Sequence, residues 1–179
     1  MSIQSKDELD SWYSQPDPWG YETNPEDLNR CAMLLSVLPQ KRFSRILDIG
    51  CGNGFVTQRL PGDTIIGVDI SENAVKYAQA RNLPNVDFQR LSIFDLPEKG
   101  WYQYFDLIVI SGVLYPQYIG KGHLLVYTII DDLLKQGGHL ACAHILEWYN
   151  CRFPYITLTR EYYSYREFSH ILEIYLKTL

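Results

Sequence analysis

The sequence predicts a Rossmann-like α/β fold, a doubly wound and mostly parallel sheet with helices on both faces. Three observations predict it. Short apolar runs alternate with amphipathic segments, a glycine-rich turn follows the first apolar run, and an acidic residue ends the second.

The elements follow in order. Leu28–Leu38 has helical spacing and is stopped by Pro39. Residues 45–49, RILDI, form a buried strand, and the turn after it leads into a helix starting near Phe55. IIGVDI at 65–70 is the second strand. Ser71 can cap a helix carrying Ala74, Val75 and Ala78, with Pro84 beyond its end. VDFQRL (86–91) and FDLIVI (105–110) are the third and fourth strands. Residues 123–135 repeat apolar positions at helical spacing, and Gly137-Gly138 closes that helix before HLACAHI (139–145), the fifth strand. Residues 168–179 place Phe168, Ile171, Leu172, Tyr175, Leu176 and Leu179 on one helical face. Their aromatic and β-branched content equally suits a strand, and an antiparallel strand at the C-terminal edge is the preferred reading.

Composition narrows the class of function. The 179 residues suit one well-buried domain, with 46% hydrophobic and 21% charged residues. Aromatic residues make up 14%, mostly Tyr concentrated toward the two chain ends, as pocket walls would require. A net charge of −5 without a Lys/Arg run disfavours nucleic acid and favours a small or neutral substrate. Cys31, Cys51, Cys142 and Cys151 have neither Cys-x-x-Cys nor metal-ligand spacing, so no metal is expected. MSIQSKDELD lacks the features of a signal peptide, and Leu107–Ile110 is too short to span a bilayer. A cytoplasmic protein without membrane attachment is expected, as monomer or homodimer.

The turn after the first strand carries chemistry. Gly50, Gly52 and Gly54 let the backbone bend and approach a ligand, and amides at the following helix N-terminus can hold a carboxylate. Nicotinamide domains use a similar turn, but Phe55 stands where their fingerprint has its third glycine. Asp48 would repel a pyrophosphate and attract a sulfonium or ammonium. Asp69 can accept hydrogen bonds from both hydroxyls of a ribose, or serve only as a helix N-terminal carboxylate.

LDIGCGNG (47–54), GVDIS (67–71) and FDLIVISGVLY (105–115) resemble motifs I, II and IV of class I S-adenosylmethionine-dependent methyltransferases, over roughly residues 28–146. DPWGYETNPEDLNR (17–30) resembles the N-terminal part of a subgroup that includes the NodS-like small-molecule enzymes. The resemblance implies the class I methyltransferase fold and S-adenosyl-L-methionine as cofactor. It implies Asp48, Gly50 and Gly52, with Cys51 and Asn53, around the methionine moiety, and Asp69 with Ile70 at the ribose. The family often has an acidic adenine ligand after the third strand. Here Ser92 and Ile93 take that place, with Asp95 as the alternative. Ser111 completes the expected contacts. Within a single domain, 1–40 then forms a lid and helix, 41–146 the cofactor-binding core, and 147–179 the substrate side.

In-line methyl transfer needs a held nucleophile, excluded water and, for a hydroxyl or protonated amine, a base. His144 at the end of the fifth strand is the candidate base, the other reading being a packed histidine. Tyr115 is a wall or hydrogen-bond donor; Gly112 stands where many relatives carry Glu. His123 opens a helix, His139 begins a strand at the far end, and His170 reaches the pocket only if the tail folds back. Trp12, Tyr13, Trp19 and Tyr21 form either a lid, with Trp19 foremost, or a cover for the sheet edge. Arg30 is placed to pair with the methionine carboxylate, and Tyr155, Tyr162, Tyr163 and Tyr165 to line the opposite wall. The expected activity is N- or O-methylation of a small molecule such as a sugar or secondary metabolite. The alternatives are an NAD-dependent oxidoreductase of the same fold and a non-catalytic S-adenosylmethionine-binding subunit.

Overall fold

The computed structural model describes residues 5–150 and 152–178; Cys151 and Leu179, weighed above, lie outside them, as do residues 1–4. After two N-terminal helices, α1 (Lys6–Trp12) and α2 (Pro25–Val37), come β1 (Phe43–Ile49), β2 (Gly62–Asp69), α3 (Glu72–Gln79), β3 (Val86–Arg90) and β4 (Phe105–Ser111). A short α4 (Pro116–Ile119) and α5 (His123–Leu133) precede β5 (Leu134–Ile145), β6 (Ile156–Tyr165) and β7 (Phe168–Leu176). The sheet order is β3-β2-β1-β4-β5-β7-β6. β1 to β5 run parallel, and β7 is antiparallel to both of its neighbours. The order reverses between β1 and β4, so their carboxyl ends diverge and open a crevice there.

Both faces are covered. Val126, Ile129, Ile130 and Leu133 of α5 pack with Phe105, Ile108, Ile110, Leu140 and Cys142 on one face. Leu34 and Leu38, at the end of α2, pack with Ile46, Leu107, Val109, Ala141, Leu172 and Ile174 on the other. Ser71 caps α3 as expected, accepting from the Ala74 N–H, while α2 opens three residues before Leu28, with Asn24 capping it ahead of Pro25.

Three local expectations change. No helix starts at Phe55; residues 50–61 hold only a 3-10 turn at Thr57–Arg59. Pro61 biases Leu60 to extended backbone, and β2 opens at Gly62, leaving too few residues for a helix. Gly137-Gly138 does not close α5 but lies inside β5, where Gly137 donates to the Lys177 carbonyl at 2.9 Å. The closing segment is the antiparallel β7, but β6 forms the outermost edge. Its polar, largely exposed residues carry no apolar alternation, so the strand has no sequence signal.

Leu107 is fully buried in the central strand β4. Leu107→Ala is expected to lower unfolding free energy by about 2–5 kcal/mol, read by urea denaturation.

Candidate functional site

The loop after β1 is shaped by contacts that only glycine permits. Gly50 has φ +76°, and a Cβ there would lie 2.1 Å from the Val113 side chain. At Gly52, φ is +55°, and a Cβ would meet the Tyr13 hydroxyl at 2.6 Å. The Gly50 and Cys51 amides both donate to the Val68 carbonyl, pinning the turn against β2.

Two carboxylates flank this turn, Asp48 buried and Asp69 partly buried. Asp48 accepts from the Thr57 hydroxyl at 2.6 Å, and burial pushes its pKa up to about 6 against that bond. Asp69 accepts from the Gly52 and Ser71 amides, each at 2.9 Å, yet burial still raises its pKa. Each carboxylate is short of compensating positive charge. Thr57, itself fully buried, carries no motif that would have marked it in the sequence.

Both line a cavity of about 470 Å³, a volume suited to a cofactor with a small partner. Its wall spans the carboxyl ends of β1 to β5 and the β6–β7 hairpin. Leu91, Ser92 and Ile93 line the part beyond β2 and β3. The Ser92 hydroxyl accepts from the Phe94 amide, while Asp95 accepts from the Ser92 amide in a capping box. Asp95, the alternative adenine contact, therefore serves the backbone and is not in the cavity wall. The wall continues over β4, β5 and β7 to Tyr163, Tyr165, Phe168 and His170. Trp19, Arg30, Gly50, Cys51, Gly52, Asn53, Ile70 and Ser111 also border the cavity, so each expected cofactor contact lies on one continuous surface.

Residues 10–22 are fastened across the cavity. Asp10 accepts from Ser71 and Asn73 at the start of α3, and the Asn53 amide donates to the Pro16 carbonyl at 2.9 Å. Arg166 donates to the Trp19 carbonyl at 3.1 Å, and Glu22 pairs with Arg81. Trp19 stacks on Tyr21 at 5.6 Å and meets Tyr13 edge-on at 5.0 Å. These rings border the cavity rather than an outer sheet edge.

Arg30 joins the strap to the sheet. Its guanidinium donates to Asp27 at 2.9 Å and to the Ser111 hydroxyl at 3.3 Å, while its buried Nε has no partner. No α-helix N-terminus stands at Phe55 to offer the amides expected there, and Arg30, beside Ser111, is a cation on the cavity wall.

The histidines exchange places relative to expectation. Side chains alternate along β5, and Ala143 and Ile145 face the cavity, so His144 points to the opposite side. There it packs edge-on against Tyr149 at 4.8 Å; its Nδ1 is buried without a partner, and desolvation lowers its pKa to about 4. The candidate base at His144 is thus outside the cavity wall. His170 pairs with Ile145 across β5 and β7, and Tyr163 pairs with His170 across β6 and β7. One cross-strand row therefore presents His170 and Tyr163 to the cavity; the tail does fold back. Tyr115 lines the cavity, accepts from the Ile145 amide at 2.9 Å, and is pushed by burial to about 12, which suits a wall rather than a base. Tyr155 and Tyr162 are not in the cavity wall; Tyr155 donates to Asp131, and Tyr162 is 60% exposed. Among the described residues no His/Cys/Asp/Glu cluster could hold a metal, and no helix is long and apolar enough to cross a membrane.

Sheet order, glycine turn and paired carboxylates define a doubly wound α/β protein with a nucleoside-type cofactor cleft. A family model described as a methyltransferase domain matches residues 40–169. The tRNA U34 carboxymethyltransferase of Pseudomonas aeruginosa (strain LESB58) is 37% identical over 106 residues, 55% of this chain and 31% of that protein. The trans-aconitate 2-methyltransferase of Deinococcus radiodurans is 30% identical over 112 residues, 60% of this chain and 40% of that one. The chain thus spans well under half the length of these relatives. Among solved structures, N-methyltransferase NodS from Bradyrhizobium japonicum with S-adenosyl-L-homocysteine aligns at a TM-score of 0.79 and 20% identity, covering 96% of this chain and 97% of that one. The [4+2]-cyclase SpnF aligns at 0.75 and 14% identity, covering 100% and 99%; at these identities the likeness is one of fold. The chain belongs to the methyltransferase-domain family, in its class I, S-adenosylmethionine-dependent form. The NAD-dependent alternative is set aside.

The residues present fit that cofactor. The two carboxylates suit a cationic sulfonium and a ribose, and the glycine turn leaves room for close approach. Because Asp48 is neutralised below about pH 6, S-adenosylmethionine affinity is expected to weaken as pH falls through that value. Calorimetry from pH 8 to pH 5 should show this for the native protein and a flatter profile for Asp48→Asn. Gly50→Ala is expected to lower both melting temperature and S-adenosylhomocysteine affinity. Gly100→Ala, at φ +67° but with open space around it, should cost only local strain of about 1–3 kcal/mol.

Proposed function

We propose that this methyltransferase acts on a small-molecule acceptor held over β4, β5 and β7, next to the cofactor. The observation that carries this reading is the continuity of the cavity. The space beside Asp48 and Asp69 runs without a break to the aromatic and polar wall formed by Ser111, Tyr115, Trp148, Tyr163, Tyr165 and His170.

In this reading Asp69 accepts from the ribose hydroxyls, Asp48 lies near the sulfonium and ammonium, and Arg30 pairs with the methionine carboxylate. Gly50, Cys51, Gly52 and Asn53 border the methionine moiety, Ile70 the ribose, and Ser92 with Ile93 the adenine. When bound, S-adenosylmethionine supplies an activated methyl group. The chain's own work is to align an acceptor, exclude water and manage its proton. Residues 10–22 act as a lid, since Trp19 and Tyr13 close the side of the cavity that α2 leaves open.

The relative acting on tRNA raises a nucleic acid acceptor as the competing reading. A net charge of −5 opposes it, because phosphate binding depends on clustered cations.

Purified protein is expected to bind S-adenosylmethionine and S-adenosylhomocysteine with measurable heat. Asp69→Ala should weaken both at least tenfold through loss of charged hydrogen bonds. S-adenosylhomocysteine release should then appear with members of a small-molecule panel and not with transcribed tRNA. Release with tRNA alone would overturn the acceptor class. Binding without release from any acceptor would identify a non-catalytic subunit.

A further inference from the structure

His170 is the one histidine that borders the cavity among the described residues. It lies on the cavity wall in the cross-strand row with Ile145 and Tyr163. Tyr163 stacks on its ring at 5.3 Å and Tyr165 meets it edge-on at 5.3 Å, which holds the imidazole in one orientation. Its Nδ1 lies 3.4 Å from the Phe168 carbonyl, an oxygen that can only accept. That contact places the proton on Nδ1 and leaves the Nε2 lone pair for another partner.

The charges around the ring select the acceptor. Tyr163 and Tyr165 face it from β6, Arg30 from α2, and Glu147 from the segment after β5. Asp27 stands behind Tyr165 and is engaged by the Tyr165 hydroxyl and by Arg30. Glu147 accepts from the Ser169 amide at the surface. Arg30 has a buried Nε without a partner, and Arg166 also borders the cavity. Arg30 is engaged by Asp27 and, in the reading above, by the methionine carboxylate. That leaves Arg166, 3.8 Å from Asp27, as the cation that a protonated amine would meet. The same cation would stabilise the oxygen of a hydroxyl losing its proton.

We infer that His170 is the general base for methyl transfer to a hydroxyl acceptor. The assignment rests on the small-molecule reading of the same cavity. In the step, the acceptor oxygen bonds to the methyl carbon and its proton passes to Nε2 of His170. The carbon–sulfur bond breaks with its electron pair remaining on sulfur, and the imidazolium returns the proton to water after release. Burial first, and Arg30 further, hold the His170 pKa below its ordinary value, outweighing the Phe168 carbonyl and Glu147, so the ring is a free base at neutral pH.

The test measures S-adenosylhomocysteine release with a panel of phenols, hydroxy acids and primary amines, using native protein, His170→Asn and His170→Ala. Hydroxyl acceptors are expected to turn over. His170→Asn should lower kcat by about 100-fold or more while S-adenosylhomocysteine affinity stays within about twofold. With S-adenosylmethionine saturating at every pH, so that Asp48 does not contribute, the native acidic limb in kcat, expected below about pH 6.5, should vanish in the variant. Added imidazole should restore part of the rate of His170→Ala. Native rates in His170→Asn, or turnover of amines alone, would overturn the assignment and leave the small-molecule reading intact. Loss of S-adenosylhomocysteine binding along with activity would make His170 structural and also overturn it. No turnover of any small molecule would overturn both.

Discussion

The architecture of the site depends on two carboxylates, one buried and one partly buried, at the carboxyl ends of adjacent parallel strands. Asp48 is withdrawn from water and Asp69 partly so, and desolvation raises the pKa of each. A protein does not keep two acids so close without a cationic or hydrogen-bonding ligand to reward it. The strand register brings them there: Asp48 pairs with Gly67, two residues before Asp69, and the glycine turn passes between. Thr57 and the amides of Gly52 and Ser71 satisfy part of their demand and leave the rest facing the cavity.

From that pair outward, the fold economises. Only a 3-10 turn lies between β1 and β2, and another spans Ile93–Lys99 between β3 and β4. Cover that helices would supply comes instead from the N-terminal strap, tied down at Asp10, Pro16, Trp19 and Glu22. Arg166 takes part in this. It sits at the β6–β7 turn with φ +54° and reaches back to the Trp19 carbonyl, so the two ends of the chain meet over the site. The aromatic excess at both ends becomes intelligible: Trp19 and Tyr21 from one end face the same cavity as Tyr163 and Tyr165 from the other.

Legibility followed the range of each signal. The strands beginning near Arg45, Ile65, Phe105 and His139 were visible because each contains a short apolar run buried on both faces. By contrast β3, at the other sheet edge, shows only the alternation of Val86 and Phe88 with polar residues. The cofactor loop was visible because its geometry demands glycine at fixed spacing, and those residues appear in the chain as written. β6 was invisible because its inward face is only partly buried, at Thr159, Tyr163 and Tyr165, and its apolar Ile156 and Leu158 are exposed, so no regular alternation marks it. The helix expected from Phe55 does not form because Pro61 and the start of β2 at Gly62 leave too few residues for it.

Local chemistry in the sequence thus determined the fold class, the cofactor loop and the acidic residues at the ends of β1 and β2. What it did not determine was which histidine enters the cavity. That depends on a one-residue alternation along β5 and on the antiparallel register between β5 and β7, which together turn His144 away and bring His170 in. The pairing is set by strands far apart in the chain, and only the assembled sheet holds that information.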